Sequence, residues 1–267
     1  MDIENRKGAR KIEEVPPHIK KLLSKGKIPS KNLVETLSID YEEFLKNVLK
    51  DLNRKQYLDN SLIAYNALKK QTMPQAIKST ARVLLDESIK NNDNDLIENI
   101  KSHPSDITRS WGPYIIGYDE RLSIEEKLNL IKDFAIDEHH SVREEAWIGL
   151  RESIIENLDL AIDILSDWSK DSNEYIRRYA SEATRPRGVW CKHSIELKDN
   201  PQKAIAILEP LKSDNSKYVQ DSVGNWLNDA SKSQKDWVIK TTNEWIDLSP
   251  TKQTQKIVKR ALRTINK

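Results

Sequence analysis

Seven glycines in 267 residues are too few for the turns of a sheet-rich domain of this size. Helices joined by short turns need fewer. Cys191 is the only cysteine, so no intramolecular disulfide can form, which fits a reducing compartment. No window approaches about 18 uncharged apolar residues, the length that spans a membrane. The opening residues, MDIENRKGARKIEEVPPHIKKLL, lack the long apolar stretch of a signal peptide. A cytoplasmic, monomeric protein is expected. An excess of one charge is also missing: 44 Lys and Arg stand against 42 Asp and Glu. A nucleic-acid binder with this balance has to segregate its charges. Neither G-x-x-x-x-G-K-[ST] nor G-x-G-x-x-G occurs, so no nucleotide cofactor is expected. His139-His140 and Cys191-Lys192-His193 match no zinc spacing, and no metal is expected either.

What is present is helical. The chain is 37% hydrophobic, enough for a core. Residues 1–30 read as a basic N-terminal arm, flexible or loosely docked, in which Pro16 and Pro17 forbid one continuous helix. Residues 31–267 read as a single repeat domain. Leu33, Val34, Leu37, Phe44, Leu45 and Val48 share an apolar stripe. Further helices are expected near 56–70, 74–90, 94–102, 107–117 and 124–136, with Asn91-Asn92-Asp93-Asn94 as one turn.

The second half repeats itself. His140-Ser141-Val142-Arg143-Glu144-Glu145-Ala146 is matched by Glu174-Tyr175-Ile176-Arg177-Arg178-Tyr179-Ala180 and by Lys217-Tyr218-Val219-Gln220-Asp221-Ser222-Val223. Lys256-Ile257-Val258-Lys259-Arg260-Ala261 is a weaker fourth copy. Ala161-Ile162-Asp163-Ile164-Leu165 likewise resembles Ala204-Ile205-Ala206-Ile207-Leu208. A period of about 34 to 43 residues is that of two-helix solenoid units, HEAT above all. The expected fold is therefore an all-α, HEAT-like superhelix with a concave basic groove lined by the second helix of each pair.

Charge concentrates on those second helices. Arg177, Arg178, Arg185 and Arg187 surround a single acid, Glu182. Residues 251–267 hold Lys252, Lys256, Lys259, Arg260, Arg263 and Lys267 and no acid. Such a lining suits a phosphate backbone. Solvated helix faces are the plain alternative. Helical spacing makes Arg178, Glu182 and Arg185 neighbours, as an ion-pair hub or as a site. Asn228-Asp229 follows an apolar helix and reads locally as a C-cap and turn before Lys232. In the repeat frame, however, Asp229 is brought towards the groove that holds Glu182.

RRYASEATRPRGVW (177–190) and YVQDSVGNWLNDASK (218–232) resemble two segments of the AlkC branch of the AlkC/AlkD-like DNA alkylation repair family, patterned RR-x-x-SEG-x-RPR-x-x-W and Y-V-x-x-SVAN-x-LND-x-x-K. KNLVETLSIDY (31–41) is similar to the family's opening K-N-L-x-E-x-L-x-I-D-F. The sequence departs from the pattern in having Ala183 after the Glu and Gly188-Val189-Trp190 in place of Leu-Pro-Trp. A further acidic segment, SAEFAIRPF, has only a blurred counterpart in Ser105-Asp106-Ile107-Thr108-Arg109-Ser110-Trp111, where Asp106 is the candidate acid.

The resemblance implies a DNA glycosylase without cofactor. It would cut cationic N-alkylated bases (3-methyladenine, with 3-methylcytosine and 7-methylguanine as further candidates) from duplex DNA held in the groove. Glu182, Asp229 and Asp106 are then the candidate catalytic carboxylates. Such groups stabilise the oxocarbenium-like sugar left as the base departs. Arg177, Arg178, Arg185, Arg187, Lys232 and Lys259 are the candidate phosphate contacts. Trp111 or Trp190 would face the cationic lesion, and core packing is the alternative for each. Two other functions fit the same fold. One is a non-catalytic binder of distorted or branched DNA, the other a protein-interaction scaffold.

Overall fold

The computed structural model describes Ile3 and residues 5–267. Among the described residues there are α-helices and short 3-10 turns and no strand. The chain divides into two compact units. One runs to Glu120 and includes Asp137–Ala146; the other comprises Arg121–Ile136 and Trp147–Lys267.

The first unit holds α1 (Pro17–Ser24), α2 (Leu33–Leu37), α3 (Tyr41–Asp51), α4 (Leu58–Asn66), α5 (Met73–Asn91), α6 (Leu96–Lys101), α7 (Asp106–Arg109) and α8 (Trp111–Tyr118). Side-chain caps fix where α2 and α3 start: Asn32 and Asp40 accept from the backbone N–H groups of Glu35 and Glu43. Asn92 ends α5 in the left-handed conformation at φ 53°, so the expected turn falls there. The helix expected over 107–117 is broken at Ser110 into α7 and α8. Phe44, Leu45, Tyr57, Leu84 and Trp111 are fully buried in this unit's core.

Of the two forms expected for the N-terminal arm, flexible or loosely docked, the described residues take a docked one. Ile19 and Leu23 of α1 join Val15 in an apolar cluster against Ala9, Ile28, Val34 and Ile39. Arg6 forks onto Glu35 at 3.0 and 2.7 Å and donates to the Pro29 carbonyl at 2.6 Å. Such a bidentate, largely buried pair fixes geometry as well as charge. The positive charge noted in the sequence remains outside, on exposed Lys7, Arg10, Lys11 and Lys20. Residues 1, 2 and 4 of the expected arm lie outside the described residues.

The second unit begins with α9 (Ile124–Ala135). Its start is a capping box: Ser123 accepts from Glu126 N–H and the Glu126 carboxylate accepts from Ser123 N–H. α10 (His140–Gly149) begins in the first unit and ends in this one. Then follow α11 (Arg151–Glu156), α12 (Leu158–Trp168), α13 (Glu174–Ala183), α14 (Ile195–Asp199), α15 (Ile205–Leu208), α16 (Lys217–Ala230), α17 (Lys235–Leu248) and α18 (Lys252–Ala261). The second helices of the sequence repeat are α13, α16 and α18, and they pack side by side, with α12 against α15 in the other layer. Each buries one stripe: Ile176, Tyr179 and Ala180 on α13, Val219, Val223 and Trp226 on α16, Ile257 and Ala261 on α18. The repeat is written into the caps as well. Asn173, Ser216 and Thr251 stand at the three N-termini, and each side chain accepts a backbone N–H of the first turn.

A second repeated device ties neighbouring pairs together. Asp171 and Asp214 each accept the backbone N–H two residues on, at 2.7 and 2.8 Å. Six residues after Asp171, Arg177 donates to the carbonyls of Asp171 and Ser172 and forks onto Asp214 of the next repeat at 2.6 and 3.1 Å. Gln220, six residues after Asp214, donates to the Asp214 carbonyl at 2.7 Å. Arg177 is thus spent on the ladder between repeats, which explains its place in the motif without DNA.

Candidate functional site

The last turn of α13 and the last two turns of α16 meet around one guanidinium. α13 ends at Thr184 because Pro186 has no N–H to continue it. Arg185, just past that end, turns its side chain back along both helices. Its Nη1 donates to Glu182 Oε1 at 2.6 Å. Its Nε and Nη2 both donate to Asp229 Oδ2, at 2.9 and 2.6 Å. The two carboxylates singled out in the sequence are therefore held on the same cation. Glu182 is 4% exposed and Asp229 3%. Burial works to lower the Arg185 pKa, but Glu182 and Asp229 outweigh it, and the guanidinium is held more firmly charged than in water.

The carboxylates differ in what closes their remaining oxygens. Glu182 Oε2 accepts from the Ser222 hydroxyl at 2.6 Å, and Arg178 Nη2 stands 3.8 Å away. Ser222 in turn shares a hydrogen bond of 2.7 Å with Ser181. Arg178 Cζ lies over the Tyr218 ring, 4.1 Å from its centroid. Glu182 is thus enclosed by α13 and α16 themselves. Among the described residues Asp229 Oδ1 meets only Lys232 Nζ, at 3.1 Å, and the Lys232 side chain is 42% exposed. Lys232 is the more exposed of the two cations on Asp229, since the Arg185 side chain is only 9% exposed.

Asp229 lies inside α16, which runs on to Ala230 with Ser231 as its C-cap. The local reading of Asn228-Asp229 as a cap and turn is corrected accordingly. Asn228 instead donates to the Ala261 carbonyl and Thr264 and accepts from Arg263 Nε, tying α16 to the chain's last turns.

The loop after Arg185 carries the other candidates. Arg187 is half-buried and donates to the Asp229 carbonyl at 3.3 Å. Trp190 is 89% exposed at the loop's tip, with φ 65°. For a bulky residue that conformation is costly. Beneath the loop lies Arg151, 1% exposed, whose three donor nitrogens reach the carbonyls of Ala183, Arg185 and Lys192. Burial depresses its pKa from the usual arginine value. Sequence reasoning missed Arg151. Its signal was the repeat itself, since Arg151 precedes Arg185 by the same interval that separates Arg143 from Arg177. Ser222 was missed too, although it stands inside the quoted 218–232 segment.

Lys259 is exposed on α18, away from this network, in a separate cleft. Two candidates belong to the first unit. Asp106, 1% exposed, accepts from Ser30 N at 2.9 Å and from the Ser30 hydroxyl at 2.7 Å, and His139 Nδ1 is 3.5 Å away. It pins a backbone segment and is closed on every side. Trp111 is fully buried, donates to Tyr41 at 3.1 Å and packs edge-on against Phe44. It is a core tryptophan, and the packing alternative is the one the structure supports.

A family model described as DNA alkylation repair enzyme matches residues 118–264. The chain is 43% identical to the Bacillus subtilis (strain 168) protein YhaZ over 100 residues, which are 38% of this chain and 28% of that protein. The structure resembles that of the Pseudomonas fluorescens alkylpurine DNA glycosylase AlkC, solved bound to DNA containing an abasic site analog. Its TM-score is 0.66 at 20% identity, over 97% of this chain and 66% of the other. It also resembles AlkD2 from Streptococcus mutans, with TM-score 0.55 at 24% identity, over 83% of this chain and 97% of that one. At these identities the likeness is one of fold: all-α, helical-repeat. The chain spans 66% of AlkC, and its matched stretch under a third of YhaZ.

Proposed function

We propose, from the premise that the chain belongs to the DNA alkylation repair enzyme family, that it is a monofunctional DNA glycosylase. It would hydrolyse the N-glycosidic bond of cationic N-alkylated bases, 3-methyladenine first, in duplex DNA. We further infer that it works as a monomer, without cofactor, wherever the DNA is. The observation that carries this reading is the pair of buried carboxylates on Arg185, one of which also pairs with an exposed lysine.

An alkylated base is already positive, so its bond to C1′ is weak. As that bond breaks, both electrons go to the base, which leaves neutral, and the sugar becomes an oxocarbenium ion. Lys232 is long and exposed, and a DNA phosphate is a better partner for it than a carboxylate already paired with arginine. Drawn to the backbone, it uncovers Asp229 Oδ1. That oxygen then faces the cationic sugar and accepts a proton from the water that attacks C1′. Glu182 keeps both its oxygens on Arg185 and Ser222. It fixes Arg185, and through Arg185 the rotamer of Asp229, so its role is positioning. Arg178, Arg187 and Lys232 supply phosphate contacts, and exposed Trp190 offers an indole face to the lesion. That stacking is worth about 0.5–2 kcal/mol.

The test uses methylated DNA and chromatography of the bases released. Asp229→Asn is expected to lose excision while keeping affinity for undamaged duplex. Glu182→Gln is expected to keep part of it. Release of 3-methyladenine by Asp229→Asn at the parental rate overturns the assignment. One observation favours a second reading. Both carboxylates are fully engaged by cations and hydroxyls, as in a structural hub. A non-catalytic protein that recognises distorted DNA by backbone shape would need no more than this. Salt-dependent binding by the parent protein with no base freed decides for it.

A further inference from the structure

Because α13, α16 and α18 start from equivalent N-caps, their residues can be matched by position. Nine residues after Asn173, Ser216 and Thr251 stand Glu182, Asn225 and Arg260. Two of the three are satisfied by a neighbouring helix. Glu182 Oε2 accepts from Ser222 at 2.6 Å, and Arg260 pairs with Asp221 at 2.6 Å. Asn225 differs. Its Oδ1 is buried and has no hydrogen-bond partner among the described residues. The repeat explains why. Ser222, which closes Glu182, stands six residues after its N-cap, and the equivalent residue of α18 is Ile257. An isoleucine has no group to donate. A buried acceptor left open costs stability, so the fold alone gives no reason for an asparagine here.

We propose that Asn225 is a positioning residue that aims the attacking water at C1′. The proposal rests on the function inferred above and gives Asp229 a partner in it. Asn225 lies one turn before Asp229 on the same face of α16, and residues so spaced have Cβ atoms roughly 5–6 Å apart. Two hydrogen bonds of about 2.8 Å span that gap through one water. Asn225 is half-buried, and the terminal torsion of an asparagine is soft, so a turn of the carboxamide brings its oxygen round to that water. Once a phosphate draws Lys232 away, the water takes the place of its amine on Asp229 Oδ1. It gives one hydrogen to Asp229 and the other to Asn225, which leaves a lone pair for C1′. The C1′–N bond gives both its electrons to the departing base. As the O–C1′ bond forms, the water proton passes to Asp229. Asn225 takes no proton, since a carboxamide oxygen is too weak a base, and its share is orientation.

The experiment compares the parent with Asn225→Leu and Asn225→Asp. It measures the denaturation midpoint, the affinity for undamaged duplex and the single-turnover release of 3-methyladenine from methylated duplex, per folded molecule. Leucine is close to asparagine in size and leaves no acceptor open. Its midpoint is therefore expected at or above the parental one, with affinity for duplex unchanged. Its rate is expected to fall on the order of 100-fold, as for a misplaced reactant. Aspartate keeps an acceptor of the same reach and is expected to recover part of that loss. Release by Asn225→Leu at the parental rate, or by Asn225→Asp no faster than by Asn225→Leu, overturns the assignment and leaves the glycosylase reading standing. A midpoint for Asn225→Leu well below the parental one overturns it too, because the carboxamide would then serve the fold. A parent protein that frees no base overturns both readings.

Discussion

Two buried aspartates, one in each unit, were candidates for the same chemistry, and their surroundings separate them. Asp106 is held by a backbone N–H and a hydroxyl of its own chain. Those partners belong to the fold and cannot leave without unfolding the segment they pin. Asp229 is held by Arg185 and Lys232, which are side-chain cations. One of them is exposed and, in the proposed function, is the one that a phosphate draws away. Equal burial thus hides opposite capacities. An acid satisfied by backbone is architecture, whereas an acid satisfied in part by an exposed cation can be released on binding a polyanion.

The contrast breaks most readily at Asp229→Asn. Loss of a carboxylate aimed at developing positive charge is expected to lower single-turnover excision by roughly two to three orders of magnitude. The melting temperature should change little, since Asn still accepts from Arg185. Asp106→Ala should do the reverse. It strands the Ser30 N–H and hydroxyl, each at about 1–3 kcal/mol when buried without a partner. Chemical denaturation should show a stability loss of that order, and the folded fraction should excise at the parental rate. If Asp106→Ala folds normally and loses excision, the two aspartates have been assigned the wrong way round.

Acid sharpens the same comparison. Burial pushes His103 down to about 4 from 6.5, and its Nδ1 accepts from Ser105 N at 3.1 Å, next to Asp106. A base with a depressed pKa gives the folded state stability that is present above its unfolded value. That stability is lost as pH falls from about 6.5 towards 4, up to about 3 kcal/mol at full protonation. His103→Asn keeps an acceptor for Ser105 and should flatten this part of a stability-against-pH curve. A curve just as steep in the variant would place the titrating group elsewhere.

Much of this was legible in the chain. The repeat Val142, Ile176, Val219, Ile257 located the second helices, because a period near that of two-helix pairs has few other meanings. The spacing of Arg178, Glu182 and Arg185 gave their proximity by helix geometry alone. Three things were not legible. That Arg177 serves the ladder required knowing that Asp214 of the next repeat stands opposite it, a pairing between repeats rather than within one. That Trp111 is core and Trp190 exposed depends on which turn the proline and glycine of 186–188 expel, and indoles look alike in sequence. That residues 5–30 pack down follows from the apolar cluster of Val15, Ile19 and Leu23 and from one buried ion pair, Arg6 with Glu35, hidden among the other basic residues around it.

The smallest expected effect tests the comparison most directly. Lys232 touches Asp229 at 3.1 Å from a side chain 42% exposed. A pair whose lysine is so exposed contributes about 0–1 kcal/mol to stability, so Lys232→Gln, which can still donate to Asp229, should leave denaturation nearly unchanged. Its consequence should appear on DNA. If the amine moves to a phosphate, the variant neutralises one phosphate fewer, and the log–log salt slope falls by about one. Excision at saturating DNA should hold, because Gln leaves Asp229 Oδ1 no worse covered than a departed lysine does. A slope that stays put means the amine never leaves the carboxylate. Asp229 would then be as closed as Asp106, and the network on Arg185 would be a hub that binds DNA without cutting it.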